Sequence, residues 1–117
     1  MSQHRPKRTR RRVVLAIAAV GLTAAMLTRP TSTRSQMHRI EMNNVAFAPV
    51  EITVRNGDTV EWDNRDPVAH TATSKQGAFD VNVPPRQKRD KVMTQPGTFT
   101  YVCRYHPNMK GRIVVER

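Results

Sequence analysis

A chain of 117 residues has room for one domain of ordinary size, which leaves no space for a large multidomain enzyme. The net charge of +11 suggests nucleic acid, but eight of the 20 basic residues and none of the nine acids lie in residues 1–36. Residues 37–117 therefore carry twelve basic against nine acidic side chains, a balance of +3, and nucleic acid loses its main support. With Cys103 as its one cysteine, the chain cannot form an internal disulfide.

At the N-terminus Arg5, Lys7, Arg8, Arg10, Arg11 and Arg12 precede Val13–Leu27, a stretch with no charged residue. A basic start, an apolar run and small residues near its end, with Thr23-Ala24-Ala25 as a cleavage site, are the layout of a secretory signal. The run falls short of the ~20 residues that cross a bilayer core as a helix, which favours a signal peptide over an N-terminal anchor helix for residues 1–27 and leaves both open. Thr9-Arg10-Arg11-Arg12-Val13-Val14 resembles a twin-arginine export signal, and the route is left open as well. The protein is thus expected to be exported, to the periplasm or the outer face of the cytoplasmic membrane. In an oxidising compartment Cys103 needs burial or a metal to protect it. Residues 28–36 have no periodic apolar pattern and read as a linker, so the domain is assigned to 37–117.

From Met37 onward, β-branched and aromatic residues recur in short runs broken by Gly, Pro, Asn and Asp. Strands are predicted at 38–42, 51–55, 59–63, 70–74, 88–94, 98–103 and 112–116. Ile52 and Val54, Val60 and Trp62, and Phe99, Tyr101 and Cys103 follow the period of two of a sheet with one buried face, and Val92 and Met93 are opposed in parity. Asn56-Gly57-Asp58 and Gln95-Pro96-Gly97 are turns by composition. About seven or eight strands without an amphipathic helix imply an all-β, two-sheet β-sandwich. Trp62, Phe79, Phe99 and Tyr101 are assigned to its core.

The informative segment is Cys103-Arg104-Tyr105-His106-Pro107-Asn108-Met109. A thiolate, an imidazole and a thioether, each three residues apart after a strand, suit a soft copper ion far better than a hard, oxygen-seeking one. A blue copper centre needs a second histidine. His70 is the candidate, since the other two are His4 in the leader and His38 at the start of the domain. Singly, a lone cysteine or histidine is more often packing or surface than ligand, and Met is also a flexible gap-filler. Jointly and in this order the four outweigh that reading.

The segments Gly57–Asn64, Asp66–Ser74, Gly77–Asp80, Gln95–Cys103 and His106–Gly111 together resemble the plastocyanin and amicyanin branch of the cupredoxins. The two-residue gaps on either side of His106 are most similar to amicyanin. The resemblance implies a Greek-key β-sandwich holding one type 1 copper ion, with His70, Cys103 and His106 as equatorial ligands and Met109 as the weak axial one. It also implies an electron port at the edge of His106, ringed by apolar surface from Pro67, Val68, Pro107 and Met109. One departure is Thr71, where amicyanin-like chains often carry an Asn that steadies the ligand loops.

The function expected on this basis is transfer of single electrons between donor and acceptor proteins by a monomeric, non-enzymatic carrier. The alternative is copper delivery or resistance, and a metal-free interaction module requires the ligand pattern to be accidental. Arg86, Lys88, Arg89, Lys91, Arg104 and Lys110 are candidates for a basic rim that steers an acidic partner, against the blander reading of 86–91 as a solvated edge strand.

Overall fold

In the computed structural model, which describes residues 14–28 and 34–117, the β-branched and aromatic runs pair as nine strands. These are β1 (Met37–Met42), β2 (Phe47–Ala48), β3 (Glu51–Arg55), β4 (Thr59–Asn64), β5 (His70–Ser74), β6 (Asp80–Val83), β7 (Lys88–Val92), β8 (Gly97–Val102) and β9 (Lys110–Glu116). They form a four-stranded sheet in the order β2-β1-β4-β7 and a five-stranded sheet in the order β3-β9-β8-β5-β6. The chain divides into the units Met1–Thr31 and Ser32–Arg117, with every strand in the second. Residues 1–13 and 29–33, which hold the basic start of the expected leader and much of the expected linker, lie outside the described residues; residues 14–28 carry no strand or helix. No helix among the described residues is long and apolar enough to cross a membrane.

Two strands exceed the sequence expectation. β2 is only two residues long, and its single buried side chain, Phe47, leaves no alternation to read. β6 carries Asp80 and Asn82, residue types depleted in strands, and owes its place to its antiparallel ladder with β5. Cys103, predicted as the last residue of a strand, lies just outside β8, because its N–H bonds the Met109 carbonyl across the following loop.

Alternation then builds the core. Ile40, Met42, Val60 and Trp62 face inward from one sheet, and Val54, Ala72, Phe99, Tyr101, Ile113 and Val115 from the other. Apart from Ala72, each such side chain contributes at least roughly 1.5–3 kcal/mol by leaving water. Trp62, Phe79 and Tyr101 meet edge-on or tilted at centroid separations of 5.7–6.0 Å, and Phe47 lies 4.6 Å from Tyr101. All four aromatic residues assigned to the core from the sequence are buried.

The basic run 88–91 falls on β7, an exposed edge strand. Its register pairs Arg89 with Trp62 and Lys91 with Val60, so two charges stand on the core side of the sheet's edge, where they oppose pairing with another chain. Arg104 lies in the loop between β8 and β9 and Lys110 opens β9.

Candidate metal centre

The segment Cys103–Met109 joins β8 to β9, and its own backbone closes it. The His106 N–H donates to the Cys103 carbonyl (3.3 Å), the Met109 N–H to the His106 carbonyl (2.8 Å) and the Cys103 N–H to the Met109 carbonyl (3.0 Å). Successive turns of three residues thus give the spacing of Cys, His and Met its physical meaning. Opposite the loop, His70 opens β5.

His70 Nδ1 lies 3.7 Å and His106 Nδ1 3.6 Å from Cys103 Sγ, and the three donor atoms fall within 4.8 Å of one another. Two donors held about 2.0–2.3 Å from one first-row metal ion, about 120° apart in a plane, stand about 3.7 Å from each other. The cluster therefore fits an ion at its centre, and one thiolate with two imidazoles suits copper. His70 and Cys103 are fully buried, Met109 is 2% exposed and His106 is half-buried, so among the three clustered donors only His106 approaches solvent. Pro67, Val68 and Pro107 are exposed as expected, whereas Met109 is inside and adds nothing to that surface. Its backbone carbonyl, which accepts the Cys103 N–H, sets the residue next to the cysteine.

Two further features orient these donors, one of which the sequence reading passed over. Asp66 lies four residues before His70, and its carboxylate accepts a hydrogen bond from His70 Nε2 at 2.7 Å. A carboxylate can only accept, so Nε2 carries a proton, and in the neutral ring Nδ1 turns a bare lone pair toward Cys103 and His106. The same carboxylate accepts from the N–H groups of Asn44 (2.8 Å) and Val45 (2.9 Å), in the turn between β1 and β2. Both residues are left-handed, with φ of 52° and 58°, a conformation that a β-branched residue such as Val45 rarely adopts. Burial pushes the Asp66 carboxyl up, but the N–H of Val45, the His70 ring and the N–H of Asn44 together outweigh it and hold the carboxyl below its ordinary range. Asn64 supports the loop from beneath: its Oδ1 accepts the Asp66 N–H, and its Nδ2 donates to the Val68 and Val83 carbonyls. A carboxylate four residues before a candidate ligand histidine, in a Pro-containing loop, was the available signal.

Thr71 is the second feature. Its N–H points at Cys103 Sγ (3.4 Å), and its hydroxyl accepts the N–H of Arg104 (2.9 Å), so one residue ties the two ligand loops together. The hydroxyl thereby steadies the loops where the resemblance expected an Asn.

The family model of the cupredoxin-like domain matches residues 15–115, and the chain belongs to that family. Within it the relation to the amicyanin and plastocyanin branch holds. The chain is 30% identical over 111 residues to amicyanin-alpha of Methylorubrum extorquens, covering 86% of this chain and 93% of that one. It is 30% identical over 83 residues to amicyanin of Paracoccus denitrificans, covering 66% and 63%. Among solved structures, a Cu(I) form of an amicyanin variant superposes with a TM-score of 0.63 at 26% identity, covering 73% of this chain and 87% of that one.

Proposed function

We infer that this cupredoxin is an exported carrier of single electrons, in which His70, Cys103, His106 and Met109 would hold one type 1 copper ion. The observation that carries the reading is the cluster of one thiolate and two imidazole nitrogens within 4.8 Å, buried except at one histidine edge. Bound copper supplies a one-electron Cu(I)/Cu(II) couple at this position.

The protein's own residues do the rest. Asp66 fixes the His70 tautomer, and the three-residue turns hold Cys103, His106 and Met109 against the end of the sandwich. Donors held this firmly suit both oxidation states with little rearrangement, which is what rapid transfer requires. His106, half-buried beside exposed Pro107, is the point of approach for donor and acceptor proteins, with Pro67 and Val68 on the neighbouring loop giving apolar docking surface. Buried donors also weigh against copper delivery, which favours accessible sites. With all four residues as ligands, a bound ion would have no open position for a substrate, which supports a carrier rather than an enzyme. Export rests on the leader in residues 1–27, cleaved or kept as an anchor, with 28–36 as linker and 37–117 as the functional domain, a monomer that binds no nucleic acid.

The test is the visible spectrum of the copper-loaded protein with Cys103→Ser and Met109→Leu beside it. An intense thiolate-to-copper band is expected, absent in Cys103→Ser and kept with altered intensity and potential in Met109→Leu. A colourless protein, or colour independent of Cys103, overturns the reading.

A further inference from the structure

Behind the ligand loops runs a chain of three hydrogen bonds that reaches the protein surface, where an ion pair closes it into a ring. Starting from the residue after Cys103, the Arg104 N–H donates to Thr71 Oγ1 (2.9 Å); Thr71 Oγ1 meets Thr73 Oγ1 (2.9 Å); the Thr73 hydroxyl donates to Asp80 Oδ1 (2.8 Å). Arg104 closes the ring, its Nε standing 3.4 Å from the same Asp80 oxygen. Strand geometry brings the members together. Thr71 and Thr73 are two apart on β5 and so share a face, and the β5–β6 register sets Asp80 directly opposite Thr73.

The direction of every bond follows from proton bookkeeping. Ionised Asp80 can only accept, so Thr73 must give it its one proton. Thr73 oxygen is then left to accept, and Thr71 must give its own proton there. Thr71 oxygen is thereby an obligate acceptor, with its free lone pair turned toward the Arg104 N–H. A chain in which each bond polarises the next is stronger than its links taken separately. Asp80, more than half exposed, thus settles the orientation of a hydroxyl that is itself fully buried.

We propose that Thr73 and Asp80 are positioning residues for the Cys103 side of the metal centre: through Thr71 they pin the backbone between Cys103 and Arg104 and keep the Thr71 N–H on the cysteine sulfur. The proposal rests on the copper reading above. A donor to the sulfur draws charge from the thiolate and favours the reduced ion, so loosening the ring lowers the midpoint potential. Thr73→Val removes the link without changing side-chain shape and lies in a strand, where Val is favoured.

The experiment compares wild type, Thr73→Val and Thr73→Ser by visible spectrum and midpoint potential when loaded with copper, and by amide hydrogen exchange when metal-free. Thr73→Val is expected to keep the thiolate-to-copper band while its equilibrium constant for reduction falls about three- to tenfold, tenfold being about 59 mV. In the metal-free protein the Thr71 and Arg104 amides should exchange about three- to tenfold faster, and Thr73→Ser should restore both readouts. Where the variant is too unstable to load, Asp80→Ala at the surface cuts the same chain; measured in 1 M salt, where the Debye length is about 3 Å, it should lower the potential in the same sense. An unchanged potential with unchanged exchange in Thr73→Val overturns the proposal and leaves the copper reading standing. A wild-type protein without the band overturns both.

Discussion

Replacing Asp66 by Ala removes one acceptor from three donors with unequal recourse to water. His70 Nε2 belongs to a fully buried side chain, and orphaning it costs about 1–3 kcal/mol. Asn44 and Val45 lie in an exposed turn, so water can replace the carboxylate at their N–H groups, for about 1 kcal/mol between them. The expected loss is therefore about 2–4 kcal/mol, a fall in Tm on the order of 10–25 °C for a domain of this size. Urea denaturation of the metal-free protein measures it without any contribution from metal binding. Glu51→Ala is the control, since that carboxylate is 54% exposed and lies 3.9 Å from an Arg112 side chain that is 49% exposed, so its loss should cost less than about 1 kcal/mol. An Asp66→Ala protein no less stable than Glu51→Ala would refute the assignment of Asp66 as the clamp on His70.

Gly111 faces Tyr101 across the β8–β9 ladder, and a Cβ there would stand 2.5 Å from the phenol oxygen of a fully buried ring. Gly111→Ala should cost about 1–3 kcal/mol in the same denaturation assay, and a change under about 0.5 kcal/mol would show that the ring gives way. At the opposite end of β4, the N–H groups of Gln36 and Arg55, and then His38, lower the Asp58 carboxyl from 3.8 to about 2 against the effect of burial. A carboxyl whose pKa falls on folding adds stability that is present above its unfolded pKa and lost as pH drops through the folded one. The Tm advantage of wild type over Asp58→Asn should accordingly shrink as pH falls from 3.8 through 2, and an advantage constant over that range would exclude the linkage.

Much of the site was legible because its chemistry is local. Cys103, His106 and Met109 are spaced by single turns of one loop, and soft donors in that order point to copper without knowledge of the fold. The strands with a clear period of two, among them β3, β4 and β8, were legible because one face of each is buried. β2 and β6 were not, since a two-residue strand has no period and a strand containing Asp and Asn is made by its partner.

What only the tertiary structure decided lies between segments distant in the chain. Sequence order names His70 as a ligand but cannot show that Asp66 holds its ring while clamping the turn at Asn44 and Val45, about twenty residues earlier. Nor can it show that Thr71, Thr73, Asp80 and Arg104 form one ring, because that depends on the register of β5 against β6 and on where the β8–β9 loop closes. The amino-acid sequence by itself determined which atoms could hold the metal. Strand register, a property of pairing and packing rather than of composition, decided which other groups hold those atoms still.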